Sequence, residues 1–497
     1  MIDANLLDYD HDEEALGFGI PEPKEQPKPT IAHRFAMACC ALGGLFLVLQ
    51  LASGFGIGTW GGIILSYGLL ASGALLVFRE NFKGTTPGIK HNRTFFRPIQ
   101  NRGLLGWTLG IAISGFYVVL YFYDDLQRDW GMAPLLARPT QMLDPLAQLM
   151  SGSNASRWFL YGFLYTVAVL VFGFRMLLKY RHNRYQQIRT FSVMFFQFGF
   201  AFLLPNVLKA FQQPEFYFTY FWPLKPEYLF PSGVDWLSNS SAIGTFFVFW
   251  GMLATFVLTP LLTWRFGKRW YCSFVCGCGG LAETLGDPWR QQSSNSTTSW
   301  KIERWTIHTV LILITLTTAA LWLDLGDFSL SLKKWYGFFI GAIFSGVIGV
   351  GFYPLMGSRV WCRFGCPMAA VLGIIQRLWS RFRITTNGDQ CMSCGNCSTY
   401  CEMGIDVRAY AEKGLNIVRA SCVGCGVCAA VCPRGVLSLE NGMTPADRFD
   451  GADSPLLALA ESIKASTVIP ERETMLGNSC GSSNCGCKEE KTSSSGD

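Results

Sequence analysis

The chain has 497 residues, of which 50% are hydrophobic and only 15% are charged, and its formal net charge is +6. Soluble proteins carry about 25% charged residues, so this composition excludes an ordinary soluble protein and indicates a membrane protein. The modest positive charge does not indicate a nucleic-acid partner, because basic residues in membrane proteins mark the cytoplasmic loops.

Eight segments are mostly apolar and have about the 20 residues that a helix needs to cross a bilayer. They lie at residues 35–55, 59–78, 104–123, 157–178, 191–210, 243–264, 305–323 and 336–356. The sequence therefore predicts a mainly α-helical integral membrane domain over 34–386. The acidic, proline-rich segment before it lacks the features of a signal peptide, and we expect a disordered cytoplasmic tail over 1–33.

Charged residues are distributed unevenly among the predicted loops. Basic residues concentrate in 79–103, 179–190 and 265–290, whereas 124–144 holds four aspartates and two arginines. Basic loops stay in the cytoplasm. We therefore expect a multi-pass protein of the bacterial inner membrane, with both termini and the cysteine motifs on the cytoplasmic side. The loop 179–190 is either a membrane anchor or a docking site for an acidic electron donor or a quinone head group.

The strongest motif is a pair of four-cysteine segments, "CMSCGNCSTYC" and "CVGCGVCAAVCP". Each has the Cys-x2-Cys-x2-Cys-x3-Cys spacing of bacterial ferredoxins, in which the fourth cysteine binds the cluster of the other segment. The alternative is a pair of zinc knuckles, but these usually supply one Cys-x2-Cys per half-site. We therefore predict a small α+β domain with two 4Fe–4S clusters over 387–442. The predicted ligands are Cys391, Cys394, Cys397 and Cys432 for the first cluster, and Cys422, Cys425, Cys428 and Cys401 for the second.

One residue departs from the ferredoxin pattern. Glu402 follows Cys401 where the pattern has proline, whereas Cys432 is followed by Pro433. The surroundings of the second cluster are therefore expected to differ from those of an ordinary ferredoxin.

A shorter cysteine motif occurs twice, as "WYCSFVCGC" and "VWCRFGCP". The i, i+4 spacing within each copy places both thiols on one face of a helix. Two such helices related by pseudo-symmetry present four thiols, which is the ligand number of a metal ion or a small iron–sulfur centre. A redox-active dithiol and buried apolar cysteines are the alternatives. The four residues are Cys272, Cys276, Cys362 and Cys366, and Cys278 is an additional thiol in the first copy.

The segment 443–497 is predicted to be a flexible tail, and it carries the third group of thiols. Cys480, Cys485 and Cys487 either bind a soft metal ion such as copper(I) or zinc transiently or have no specific role. The five histidines include no pair placed for a transmembrane haem, and no Cys-x-x-Cys-His haem motif occurs. A quinone or a partner subunit then carries electrons across the membrane, or the chemistry stays on the cytoplasmic side.

Apolar spans, two Cys-x3-Cys copies and a two-cluster ferredoxin segment together resemble the membrane polyferredoxins typified by NapH and NosR, and more distantly CcoG. The resemblance covers about 155–440. It implies electron transfer between a quinol and a partner oxidoreductase subunit, or electron delivery to a metalloenzyme. In that family proline usually follows the second thiol of each pair. Pro367 keeps this pattern, whereas Gly277 and Cys278 depart from it.

The sequence therefore predicts an electron-transfer component of an oxidoreductase system rather than a stand-alone enzyme. Its clusters are expected to exchange electrons with a quinone or a partner subunit in the membrane. A factor that reduces a metal ion during metalloenzyme assembly is the first alternative, and a membrane redox sensor is the second.

Overall fold

Seven long apolar helices form the framework of the computed structural model, which describes residues 30–83, 102–380, 382–387 and 390–441. Only 22% to 33% of the central residues of each helix are buried within the protein, so their outer faces are apolar and exposed. Such faces are stable in a lipid environment. The helices, called spans 1 to 7 in chain order, are Ile31–Ser53, Trp60–Phe82, Leu104–Tyr121, Arg157–Lys179, Arg184–Ala210, Ala242–Phe266 and Thr297–Trp322.

These spans coincide with seven of the eight predicted segments. The eighth, over 336–356, is not among the helices that are both long and apolar enough to span a membrane. It is divided into the end of the helix Asp327–Tyr336, a π-helix over Gly337–Ile348 and a short helix over Tyr353–Met356. The predicted tails 1–33 and 443–497, including Cys480, Cys485 and Cys487, lie almost entirely outside the described residues.

Short helices connect the spans on both sides. Between spans 3 and 4 these are Tyr123–Trp130, Ala137–Gln141 and Asp144–Ser151, and between spans 5 and 6 they are Pro226–Leu229 and Pro231–Ser240. After span 6 follow Trp270–Phe274, Gly277–Glu283 and Asp287–Gln292, and after the eighth segment follow Val360–Phe364 and Pro367–Trp379. The last helices are Asn396–Thr399, Val407–Ala411 and Val427–Ala430.

Local sequence explains where several spans begin. The Ser156 side chain accepts a hydrogen bond from the Phe159 N–H at 3.1 Å, and Ser296 accepts one from the Ser299 N–H at 3.2 Å. These are N-caps, which satisfy backbone donors that a helix leaves unpaired at its start. Spans 2, 5 and 6 also contain π-helical turns, which are rare and often occur near functional sites.

The ferredoxin-type segment has a two-stranded antiparallel sheet. The strand Phe382–Thr386 pairs with Leu437–Asn441, with Ile384 opposite Leu439. The sheet therefore starts before residue 387, the predicted start of this domain. Ile384 also pairs with Ile417, and both side chains are almost completely buried.

The largest hydrophobic core joins the ferredoxin-type segment to the helical bundle. It contains both Cys-x3-Cys motifs, and it also contains residues of the ferredoxin-type segment such as Ile384, Val427 and Leu437. The two parts therefore share one core in the described part of the chain.

Gly404 is predicted to be essential for this shared packing. Its φ is +59°, and a Cβ atom there would overlap the Ser294 carbonyl oxygen and Arg363 Nη1. We expect Gly404→Ala to lower the free energy of unfolding by roughly 2 kcal/mol or more, because backbone strain and overpacking add. The measurement is thermal unfolding of the purified protein in detergent.

Gly435 provides the matched control. Its φ is +64°, but a Cβ atom there has no neighbour within 4 Å. Gly435→Ala therefore imposes the strain without the overlap, and its effect should be clearly smaller. Equal effects of the two substitutions would show that the close approach at Gly404 does not matter.

Candidate iron–sulfur sites

The eight cysteines of the ferredoxin-type segment lie in two groups of four. Each group surrounds a separate space, of about 360 Å³ and about 350 Å³. The structure thus brings together the two sets that the spacing assigns, with three cysteines from one motif and one from the other. The first space, called the outer site, is lined by Cys391, Cys394, Cys397 and Cys432, and the second, called the inner site, by Cys401, Cys422, Cys425 and Cys428.

Each site supplies four thiols, which is the number that one 4Fe–4S cluster binds. Three of the four come from a single Cys-x2-Cys-x2-Cys run, whereas a zinc knuckle usually supplies one Cys-x2-Cys per half-site. The ligand pattern of both sites therefore fits a cluster.

A repeated backbone turn presents the third cysteine of each motif. Gly395 and Gly426 have φ values of +77° and +70° and cap the short helices Asn396–Thr399 and Val427–Ala430. Glycine adopts this left-handed conformation without steric strain. Cys397 and Cys428 therefore lie in the first turn of a helix, beside the loop that carries the other two thiols of the motif.

The two sites differ in their exposure. Cys391, Cys394 and Cys432 of the outer site are half-buried, whereas Cys425 and Cys428 of the inner site are 9% and 6% exposed. Burial raises the pKa of the Cys425 thiol to about 11. Because a cluster binds thiolates, loading this site releases protons.

The inner site is covered by the basic loop and the start of span 5. The Tyr185 hydroxyl donates to the Gly424 carbonyl at 2.8 Å, and Arg189 Nη1 donates to the Cys425 carbonyl at 3.1 Å. The Gln186 amide also donates to the Cys425 carbonyl. These residues of the basic loop 179–190 thus bind the ferredoxin-type segment of their own chain.

The two Cys-x3-Cys copies have the same local fold, but it is not the single helix that the spacing predicts. In each copy a short helix ends between the two thiols, and the second thiol caps the next helix. The Cys276 N–H donates to the Tyr271 carbonyl at 2.8 Å, and the Cys366 N–H donates to the Trp361 carbonyl at 3.0 Å. The shared-helix-face prediction is therefore wrong, although the internal repeat is present.

The four thiols of these copies lie in one core. Cys272, Cys276, Cys362 and Cys366 are each 4% exposed. Burial, followed by the neighbouring thiols Cys272, Cys362 and Cys276, raises the pKa of Cys366. The additional thiol Cys278 is half-buried and hydrogen-bonds with the Cys276 side chain.

The first copy contacts the middle of span 5. A Cβ atom on Gly277 would overlap Gln197 Oε1, and Gln197 lies in the middle of span 5, Arg184–Ala210. The Tyr271 hydroxyl donates to the carbonyl of Thr219, in the segment between spans 5 and 6. This copy therefore extends into the helical bundle.

A buried ionic group, missed by the sequence analysis, lies between the inner site and the second copy. Arg359 Nη2 lies 2.9 Å from Glu402 Oε1, and Arg290 Nη1 lies 3.5 Å from Glu402 Oε2. Arg359 Nη1 also donates to Cys362 Sγ at 3.9 Å. Burial alone would raise the pKa of Glu402, but Arg359, Arg290 and Arg189 lower it to about 2. The one feature of the sequence that pointed to this ionic group was Glu402, which stands where the ferredoxin pattern has proline.

These features define a protein with a 4Fe–4S dicluster segment and, among the described residues, seven candidate membrane-spanning helices. Residues 390–437 match the family described as the 4Fe-4S dicluster domain.

Two curated proteins are similar to part of the chain. The methylamine utilization ferredoxin-type protein MauN of Paracoccus denitrificans (strain Pd 1222) is 30% identical over 165 residues, which are 31% of this chain and 57% of MauN. YccM of Escherichia coli (strain K12), whose name refers to electron transport, is 26% identical over 173 residues, which are 31% of this chain and 46% of YccM. The chain thus spans about half the length of these relatives. No solved structure matches it.

Proposed function

We propose that the protein relays electrons between two 4Fe–4S clusters, one in each four-cysteine site, and a quinone or partner subunit in the bacterial inner membrane. The observation that carries this proposal is the position of the inner site. It packs on the first Cys-x3-Cys copy, where Ser273 donates to the carbonyl of Val423, a residue that lines the inner site, at 2.7 Å. The bound clusters supply the one-electron chemistry. The protein supplies the thiolates and the burial.

An eighth crossing completes the proposed topology. Ser293, just before span 7, donates to the Glu402 carbonyl at 2.7 Å. At the other end of span 7, Trp322 donates to the Leu229 carbonyl at 2.8 Å. Arg359 contacts Glu402 as well, so residue 359 lies at the same end of the bundle as Ser293. The chain therefore crosses back between residues 323 and 358. The helices Asp327–Tyr336 and Gly337–Ile348 form this eighth crossing. The positive-inside distribution then places the ferredoxin-type segment in the cytoplasm.

The paired copies are proposed to hold a third redox centre. Their four thiols are buried in one core, and four thiols are the ligand set of a small iron–sulfur centre. This centre would be the exit to the membrane acceptor, because Gly277 beside it approaches the middle of span 5. The relationship to NapH- and NosR-type proteins is proposed on the same grounds.

Metal analysis after anaerobic purification tests the cluster proposal directly. We expect about eight irons per chain from the two sites, with additional iron if the third centre is present. Reduction should produce the EPR signals of 4Fe–4S clusters. A protein that binds zinc stoichiometrically and contains almost no iron would contradict the proposal.

A further inference from the structure

Glu402 stands where the ferredoxin motif has proline, and its side chain is completely buried. Burying a carboxylate is unfavourable unless it is paired and hydrogen-bonded. Glu402 is paired with two arginines, which come from the two segments that follow span 6 and the eighth segment. The departure from the motif therefore serves an interaction between the inner site and the helical bundle.

Arg359 connects the inner site to the Cys-x3-Cys copies. Its Nη2 lies 2.9 Å from Glu402, the residue after the inner-site cysteine Cys401. Its Nη1 donates to Cys362 Sγ at 3.9 Å. A single buried guanidinium thus contacts both the residue that follows an inner-site cysteine and one thiol of the second copy.

Arg290 is the second buried cation at this position. Its side chain is 0% exposed, and its Nε and Nη1 lie 3.3 Å from Asp287 Oδ1 and 3.5 Å from Glu402 Oε2. None of its three guanidinium nitrogens forms a hydrogen bond within the part of the chain that the structure describes. Arg290 is therefore a buried cation held between the carboxylates of Asp287 and Glu402 at ion-pair distance.

The outer site has a different electrostatic environment. Arg408 and Arg434 line it, but the Arg408 side chain is 48% exposed and Arg434 is also exposed. Solvent and salt screen charges in such positions. The buried guanidiniums of Arg290 and Arg359 are screened much less, because their surroundings have a low dielectric constant.

We infer that Arg290 and Arg359, held by Glu402, raise the reduction potential of the inner cluster above that of the outer cluster. This inference rests on the proposed function, because it requires a cluster in each site. Net charge and hydrogen bonds at the sulfur atoms set cluster potentials. An added electron makes the thiolate-bound cluster more negative, which buried cations stabilise. Burial without nearby positive charges would lower the reduction potential of the inner cluster, and these arginines offset that decrease.

This difference gives the relay a direction. A one-electron donor protein in the cytoplasm reduces the exposed outer cluster, which is reoxidised as one electron passes to the inner cluster. The third redox centre proposed for the paired copies would be the next acceptor, because Arg359, which contacts Glu402, also contacts Cys362. No covalent bond forms or breaks in these steps. Electrons therefore run from the cytoplasm towards the membrane.

The test is a redox titration of the full-length protein, purified anaerobically in detergent and followed by EPR. Wild type should show a separate potential for each of the two ferredoxin-type clusters, and Cys391→Ser should remove the lower of these two. Arg290→Gln and Arg359→Gln should shift the higher potential downwards and leave the lower one unchanged. Arg359→Lys should keep the higher potential close to its wild-type value, because lysine keeps the positive charge.

Glu303→Gln is the matched control. Glu303 forms an ion pair with Arg363 at 2.8 Å that is almost as deeply buried as the pair of Arg359 with Glu402. Its loss should destabilise the protein without moving either potential. If Arg290→Gln does not fold, the higher potentials of Arg359→Gln and Arg359→Lys are compared instead. A lower potential in Arg359→Gln than in Arg359→Lys supports the inference.

Two results would overturn the inference while leaving the proposed function intact. One is a full iron content with potentials that neither arginine substitution moves. The other is loss of the higher potential in Cys391→Ser. Absence of iron, by contrast, would overturn the proposed function itself.

Discussion

Replacing Cys425 and Cys428 together with serine is expected to remove about four of about eight irons. Both thiols line the inner site and are buried, and serine does not replace a thiolate ligand there. The outer site keeps its four cysteines, so one set of 4Fe–4S signals should remain. Iron analysis and EPR of the purified variant measure both effects.

Two further variants show whether this loss is specific. The double substitution of Cys391 and Cys394 should remove the other half of the iron, because these thiols line the outer site. Cys39→Ser changes a half-buried thiol in span 1 and should leave the iron content unchanged. If either ferredoxin variant kept all its iron, the assignment of those thiols to a cluster would be wrong.

The second large effect is expected for Cys272→Ser combined with Cys362→Ser. This variant should keep about eight irons in the ferredoxin-type segment but lose any additional iron. Transfer of electrons from reduced clusters to a quinone analogue should fall almost to background, because the buried centre between clusters and membrane is removed. Stopped-flow reoxidation in proteoliposomes measures this transfer.

Cys278→Ser provides the comparison within the same motif. Cys278 is half-buried, whereas Cys276 is 4% exposed and lies with the other three thiols. We expect Cys278→Ser to transfer electrons to the quinone analogue at the wild-type rate. Cys276→Ser should transfer them at close to the background rate. The reverse result would assign the second thiol of the first copy to Cys278.

The parts of the fold that depend on local pattern were predictable. Length and apolar composition located seven spans, because a bilayer sets the length of a helix. The ferredoxin spacing predicted the exchange of the fourth cysteine, because a tight loop brings three thiols together and leaves the fourth for the other site. Each apolar span and each four-cysteine motif lies within a segment of about 20 residues, so the local sequence is enough to recognise it.

The break inside each Cys-x3-Cys copy was not predicted, because i, i+4 spacing is the same in a continuous helix and in two helices joined by a turn. One signal for it was present. Pro367 directly follows Cys366 and occupies the first position of the next helix, where proline is favoured. The ionic group could not be predicted in this way. Glu402 lies more than a hundred residues from Arg290, and one sequence does not reveal such a distant pair.

The shared core has a consequence for biogenesis. Both thiol pairs are synthesised before the ferredoxin-type segment, yet all of them end in one hydrophobic cluster. Separating the two parts would expose buried residues such as Val427 and Leu437 to water. Cluster loading and final membrane assembly are therefore coupled steps.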